Sequence, residues 1–196
     1  IAGESSTVTI TFNELVTGFT NADLTIANGT LSAVTAMDGG WTWMASFTPT
    51  ANITDTSNLI TLTNSGVTDV AGNAGTGNTD SNNYTINTQR PTATIVVTST
   101  ALKVGETSLV TITFNEAVTG FTNADLTITN GTLTAVASVN GGITWTATFT
   151  PTANTTDTSN LITLANSGVL NAVGNTGIDN TDSNNYAIDT LRPTAS

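Results

Sequence analysis

The chain has no cysteine and no histidine in its 196 residues. The first absence excludes disulfides and thiolate metal sites. The second removes the commonest general base and the usual zinc ligand. Basic residues are nearly missing too: Arg90, Lys103 and Arg192 stand against fourteen acidic residues, for a net charge of -11. Nucleic acids and anionic membrane surfaces are bound by clustered Lys and Arg, so neither is expected as a partner. No apolar run approaches the roughly 20 residues of a membrane span, so membrane insertion is not expected. No signal-peptide pattern opens the chain. Charged residues make up 9% of the sequence, and Thr, Asn, Ser and Gly fill the polar positions. Thr-rich alternating segments punctuated by Gly and Asn-Gly are the composition of an all-β protein, not of disorder.

What the sequence does contain is itself, twice. Phe12-Asn13-Glu14 returns as Phe114-Asn115-Glu116, and the offset of 102 residues (114 minus 12) holds without a gap from Gly3/Gly105 to Arg90/Arg192. Gly18 to Ile26 matches Gly120 to Ile128 letter for letter, as Thr79 to Tyr84 matches Thr181 to Tyr186. A tandem repeat this close is expected to be a segment of a longer array. The expected division is a first repeat over 1–88, a complete repeat over 89–190 and the start of a third over 191–196. Each repeat is large enough to bury its own core.

Within a copy the apolar period is two. Val8, Ile10 and Phe12 alternate with Thr7, Thr9 and Thr11; Ile143, Trp145, Ala147 and Phe149 alternate with Thr144, Thr146, Thr148 and Thr150. The second copy predicts strands near 94–98, 108–114, 126–129, 132–137, 143–150, 161–165 and 186–189. Asn28-Gly29 and Asn130-Gly131 read as type I′ hairpin turns. About seven short strands in about 100 residues predict two tandem immunoglobulin-like β-sandwiches. The first copy has no counterpart of Thr94-Ile95-Val96-Val97, so it is expected to expose a strand edge. Either another chain covers that edge or the domain tolerates it.

Placed on a Greek-key sandwich, the acidic residues fall at its two poles. Glu116, the 115–125 loop with Asp125, and the loop carrying Asp179 and Asp182 share one pole, with Glu14, Asp23, Asp69 and Asp80 in the first copy. Glu4 or Glu106, the Thr-Asp-Thr-Ser loop with Asp55 or Asp157, and the exit at Asn87 or Asp189 share the other. Like charges crowded where one domain meets the next repel unless neutralised. Ca2+, satisfied by six to eight oxygens, is the natural counter-ion. Donors would include the carboxylates and the Asn87-Thr88-Gln89 segment. The plainer reading is that these acids keep a nearly Lys-free chain soluble. No EF-hand loop or glycine-rich calcium nonapeptide occurs.

The string 114–127, Phe-Asn-Glu-Ala-Val-Thr-Gly-Phe-Thr-Asn-Ala-Asp-Leu-Thr, resembles the bacterial Ig-like repeats of giant RTX-type surface adhesins. So do Asn130-Gly131-Thr132-Leu133, Trp145 to Pro151, Gly72-Asn73 and the closing Asn185 to Thr194. The resemblance covers essentially the whole chain. It implies an extracellular spacer on a bacterial cell surface, with neighbouring repeats as partners and calcium at the junctions. It implies metal-binding roles at Glu14, Glu116, Asp23, Asp125 and Asp69. The second copy departs from the pattern with Asn171 for Asp, and the exit of the first copy has Asn87 where Asp189 stands in the second.

Other candidates weigh less. Trp43 and Trp145 share the apolar face with Phe47 and Phe149 and read as core rather than as a sugar platform, while Trp41 sits at the core's edge. Outward threonines fit the strand pleat, and a twisted sandwich is a poor ice-binding surface. The first copy has no Lys for an isopeptide bond. Asn-x-Thr sequons, such as those at Asn28, Asn52, Asn130 and Asn154, are expected by chance in so Thr-rich a chain. No enzyme activity is expected: paired carboxylates on narrow poles form no hydrolase cleft, and no base is present to activate Ser or Thr. A monomer without a small-molecule substrate is expected. The alternative is a module that contacts a glycan or a partner protein directly.

Overall fold

The structure, a computed structural model, describes residues 1–195. It divides into two compact units, Ile1–Gln89 and Arg90–Ser196. Each is a β-sandwich with short 3₁₀ turns as its sole helical elements among the described residues. Leu191 to Ala195 form no strand, and Ser196 lies outside the described residues.

In the second unit, one layer orders Ala93–Val97, Ser108–Phe114, Thr144–Pro151 and Gly131–Leu133, with Ala137–Ser138 also paired to Thr144–Pro151. The facing layer consists of Leu126–Ile128, Ile162–Ala165 and Asn180–Asp182, beside Ala101–Lys103, Tyr186–Asp189 and Thr156–Asn160. Antiparallel register sets Ile112 against both Ile95 and Trp145, so the alternating apolar residues of three strands fall on one face. Val110, Ile112, Phe149, Ile162, Leu164 and Tyr186 are fully buried between the layers. Phe149 and Tyr186 meet edge to face at 4.9 Å, as do Phe121 and Trp145 at 5.3 Å.

Five elements escape the alternation reading: Ala101–Lys103, Thr156–Asn160, Asn180–Asp182 and the short pair Val118–Thr119 and Leu170–Asn171. Thr156–Asn160 is an outer strand rather than a loop. Its sequence, TDTSN, has no apolar period; side-chain hydrogen bonds hold it instead. Asn28-Gly29 and Asn130-Gly131 are not hairpin turns either. The strands they join lie in different sheets: Leu24–Ile26 pairs with Ile60–Thr63, whereas Gly29–Leu31 pairs with Thr42–Pro49. Asn28 takes φ 51°, and Gly29 is a strand residue whose missing side chain leaves room for the Phe47 ring. Asn28, Asn52, Asn130 and Asn154 adopt left-handed backbone, with φ of 51–57°. Turn geometry therefore accounts for their recurrence.

The first unit repeats this plan without the first two strands of the second. Its Ser6–Thr11 strand pairs with Thr42–Pro49 and is the edge of its sheet among the described residues. Val8, Ile10 and Phe12 are half-buried, whereas Val110, Ile112 and Phe114 are 0%, 0% and 3% exposed. Trp43 packs on the core and donates its indole N–H to the Gly40 carbonyl at 3.2 Å. Trp41 is 42% exposed.

Candidate functional site

Asp23 and Asp125, like Asp55 and Asp157, are tied into local structure in the same way in both copies. Asp23 and Asp125 close capping boxes on the 3₁₀ turns Asn21–Asp23 and Asn123–Asp125. The Asp125 carboxylate accepts from the Thr122 backbone N–H at 2.8 Å and from its hydroxyl at 3.2 Å. Thr122 Oγ1 in turn accepts from Ala124 N–H. A Cβ on Gly168 would collide with Asp125 Oδ1, so the glycine is part of the same device. Asn123, between them, accepts from Val136 N–H at 2.8 Å and donates to Thr134 O at 3.0 Å. The Thr-Asn-Ala-Asp motif thus staples the crossing chain.

Asp55 and Asp157 belong to a second network. Asn130 donates to Asp157 at 2.9 Å and to Asn160 Oδ1 at 2.8 Å. Buried Asn160 donates to the Tyr186 and Asp157 carbonyls, and Tyr186 OH donates to Thr129 O at 2.7 Å. Among the described residues no buried side-chain polar atom lacks a partner. Burial pushes the Tyr186 hydroxyl up to about 12, with the Asp157 charge adding to the shift. Tyr84, less buried, is raised for the same leading reason. Asn58, Asn160 and the tyrosines were missed in the sequence as network members; verbatim repetition was the available signal.

Glu116 meets the residue that departs from the pattern. Asn171 Nδ2 reaches both Glu116 carboxylate oxygens, at 3.2 and 3.1 Å. In the first unit, Glu14 and Asp69 line one groove with Asn13 and Asn73. Asp69 accepts from the Asn73 side chain and from its backbone N–H, each at 2.7 Å. Those two bonds hold its carboxyl below the usual carboxylate range, the side chain of Asn73 having the larger effect.

In the exit segment of the first unit, Thr88 is buried: its hydroxyl donates to Thr50 O at 2.6 Å and accepts from Ile53 N–H. Thr54 Oγ1 donates to Asn87 Oδ1 at 3.3 Å and Gln89 Oε1 at 3.4 Å. Thr156 does the same to Asp189 at 3.0 Å. Glu4 lies 2.8 Å from the Ile1 amino group, and Glu106 lies 3.7 Å from Lys103 Nζ.

The donor sets that each unit brings together are therefore small: Glu14 near Asp69, and Glu116 with Asn171. Among the described residues no group of three or more acidic side chains gathers to hold a metal. Calcium takes six to eight oxygens, so amide and backbone oxygens would have to supply those that these carboxylates do not.

No curated protein matches the chain. A solved structure of FdeC, an Escherichia coli adhesin, matches at 12% identity and TM-score 0.34, covering 98% of this chain. The chain spans 60% of that structure's length. The family model for the bacterial Ig-like domain matches twice in tandem, over residues 1–86 and 87–188. The chain belongs to the bacterial Ig-like domain family.

Proposed function

We propose that the chain is a structural spacer segment of a bacterial surface adhesin, built to carry tension along the polypeptide. The carrying observation lies in the second unit. Its second strand, Ala101–Lys103, runs parallel to its last strand, Tyr186–Asp189, with Ala101 opposite Ala187, Leu102 opposite Ile188 and Lys103 opposite Asp189. Tension applied to the two ends of that unit pulls parallel neighbours past each other. The ladder bonds are then loaded together in shear rather than opened one at a time. Leu102, 3% exposed, and Ile188, 1% exposed, anchor this patch in the core.

Family membership and the tandem repeat support the spacer reading, as does the use of nearly every repeated polar motif as a structural staple. An extracellular location on a bacterial surface follows from the same reading, as does the role of other repeats as neighbours. Calcium at the ends of the units is a supplement to this load path in the proposal, not its basis. Donors beyond those one unit gathers would have to complete its coordination.

Pulling the chain by its two ends tests the proposal. Two unfolding events are expected, the second unit yielding at the higher force. Each event should release about 30 nm for roughly 90 residues. Equal, low forces for both units would overturn it, as would specific capture of a glycan on an array. Repeating the measurement in calcium and in chelator tests the supplementary part.

A further inference from the structure

The chain has three Asn-Gly pairs, at 28–29, 130–131 and 140–141. In such a pair the side-chain amide is open to attack by the next backbone nitrogen, because glycine has no side chain to shield it. Two freedoms decide whether the attack occurs. The amide has to turn toward that nitrogen, and the peptide has to swing to meet it.

The first two pairs lack both freedoms. Asn130 Nδ2 donates to the Asp157 carboxylate at 2.9 Å and to Asn160 Oδ1 at 2.8 Å; Asn28 does the same to Asp55 at 2.8 Å and Asn58 at 2.7 Å. Their carbonyls accept from Thr152 and Thr50 N–H, each at 2.9 Å. The glycines that follow are strand residues opposite Pro151 and Pro49, seated so close to the Phe149 and Phe47 rings that a methyl group would collide.

The third pair is the tip of the hairpin between Ala137–Ser138 and Thr144–Pro151. Asn140 and Gly141 are exposed, and a methyl group on Gly141 would meet nothing within 4 Å. Gly142 anchors the hairpin just beyond. It is buried, its N–H donates to Ser138 Oγ at 2.7 Å, and its carbonyl accepts from Val118 N–H at 3.1 Å and the Trp145 indole at 3.0 Å. Asn140 Oδ1 accepts from Thr144 N–H, which draws electrons from the amide carbon, and Nδ2 donates only to the Thr144 hydroxyl at 3.1 Å. The first copy shows what this turn tolerates. There Asp38 stands for Asn140 and accepts from Thr42 N–H at 2.6 Å, the bond that does most to hold its carboxyl below the usual range.

We infer that Asn140 is a site of spontaneous deamidation, whose aspartate product is the turn that the first copy already contains. The Gly141 nitrogen gives up its proton and bonds to Asn140 Cγ. The bond from Cγ to the side-chain nitrogen breaks, and that nitrogen leaves with the proton as ammonia. Water then opens the cyclic imide, at the side-chain carbonyl to give aspartate or at the backbone carbonyl to give isoaspartate. The sum is amide plus water to acid plus ammonia, with no change of oxidation state. One neutral amide becomes one carboxylate, so the net charge goes from -11 to -12 (-11 minus 1).

Ageing the folded chain in mildly alkaline buffer, with anion exchange and peptide mass mapping, tests the assignment. An acidic form should accumulate, modified at position 140, its aspartate fraction coeluting with the Asn140→Asp chain. Asn28 and Asn130 should react at least about tenfold more slowly. That ratio is a barrier difference of about 1.4 kcal/mol, less than the charge-assisted bond and the neutral bond on each amide nitrogen supply together. In urea, where those bonds are gone, the three pairs should react at similar rates. The Asn140→Gln chain should yield no such form, because its longer side chain would have to close a larger ring. Reaction at Asn28 or Asn130 as fast as at Asn140 in the folded chain would overturn the assignment. So would an Asn140 that survives folded ageing while the chain in urea loses all three amides, or an acidic form that persists unchanged in Asn140→Gln.

Discussion

Replacing Asp125 by Ala separates a structural role for this residue from a metal-binding one. The carboxylate holds the Thr122 backbone N–H at 2.8 Å and its hydroxyl at 3.2 Å. Losing a capping acceptor costs typically about 1 kcal/mol, with a range of about 0.5–2. The first of these bonds is charge-assisted, which places the loss in the upper part of that range. Asp125 is partly exposed, so water recovers some of the loss when the partner is removed. The net expectation is about 1–2 kcal/mol, or a fall of about 5–15 °C in the melting temperature of a domain of about 100 residues. Asp125→Asn keeps one acceptor oxygen and should lose roughly half as much. Differential scanning calorimetry in chelator and in millimolar calcium reads the result. The capping account predicts the same fall in both, confined to the second unit's transition, with Asp23→Ala acting likewise on the first. A variant that melts like wild type in chelator but forfeits a calcium-dependent gain would refute this reasoning and make Asp125 a ligand.

Three further outcomes follow from the same geometry. Gly131→Ala should destabilise the second unit by about 1–3 kcal/mol in urea titration, because the new methyl meets the Phe149 ring and the Thr150 carbonyl; an unchanged midpoint would contradict the packing. The chain has two tyrosines, and absorbance at alkaline pH should resolve them, Tyr84 ionising first and Tyr186 near 12. Both pKa values are raised on folding, so the stability they contribute is present below pH 10 and is lost as pH rises through the folded values. Tyr84→Phe should remove the earlier step. At the acid end the sign reverses: the Asp69 pKa lies below its ordinary 3.8, so its contribution is present above that value and fades as pH falls through the folded pKa. The margin of wild type over Asp69→Asn should shrink between pH 5 and pH 3 in melting curves, and a margin independent of pH would count against the Asn73 contacts.

The sandwich was legible because apolar period and copy number agree. Val110-x-Ile112-x-Phe114 and Trp145-x-Ala147-x-Phe149 show the core face directly, and repetition confirms it. Strands such as Thr156–Asn160 and Asn180–Asp182 were not legible. Their stability comes from partners distant in sequence, such as the Asn185 side-chain Oδ1 that accepts from Asn160 N–H and the Asp182 carboxylate that accepts from the Thr163 hydroxyl, and not from a period of their own. Asn130-Gly131 misled for a related reason. Asn before Gly signals left-handed backbone, and Asn130 has it, but which sheets the flanking strands join is decided by tertiary pairing. The acidic residues show how far charge patterning reaches. Their presence near the ends of the strands was readable, whereas the Thr122, Asn130 and Asn73 donors that engage Asp125, Asp157 and Asp69 emerge only once the chain is folded.

The central claim is that the second unit bears load through its parallel strands Ala101–Lys103 and Tyr186–Asp189. Direction-dependent pulling tests it most directly. With cysteine handles at Arg90 and Thr190, force loads the Ala101–Lys103 and Tyr186–Asp189 pair in shear. With handles at Ala101 and Ala187, which stand opposite each other at one end of the pair, the same bonds open in sequence. The account predicts an unfolding force several-fold higher for the first geometry. Equal forces in the two directions would show that the parallel pair carries no load, and the spacer reading would lose its mechanical basis.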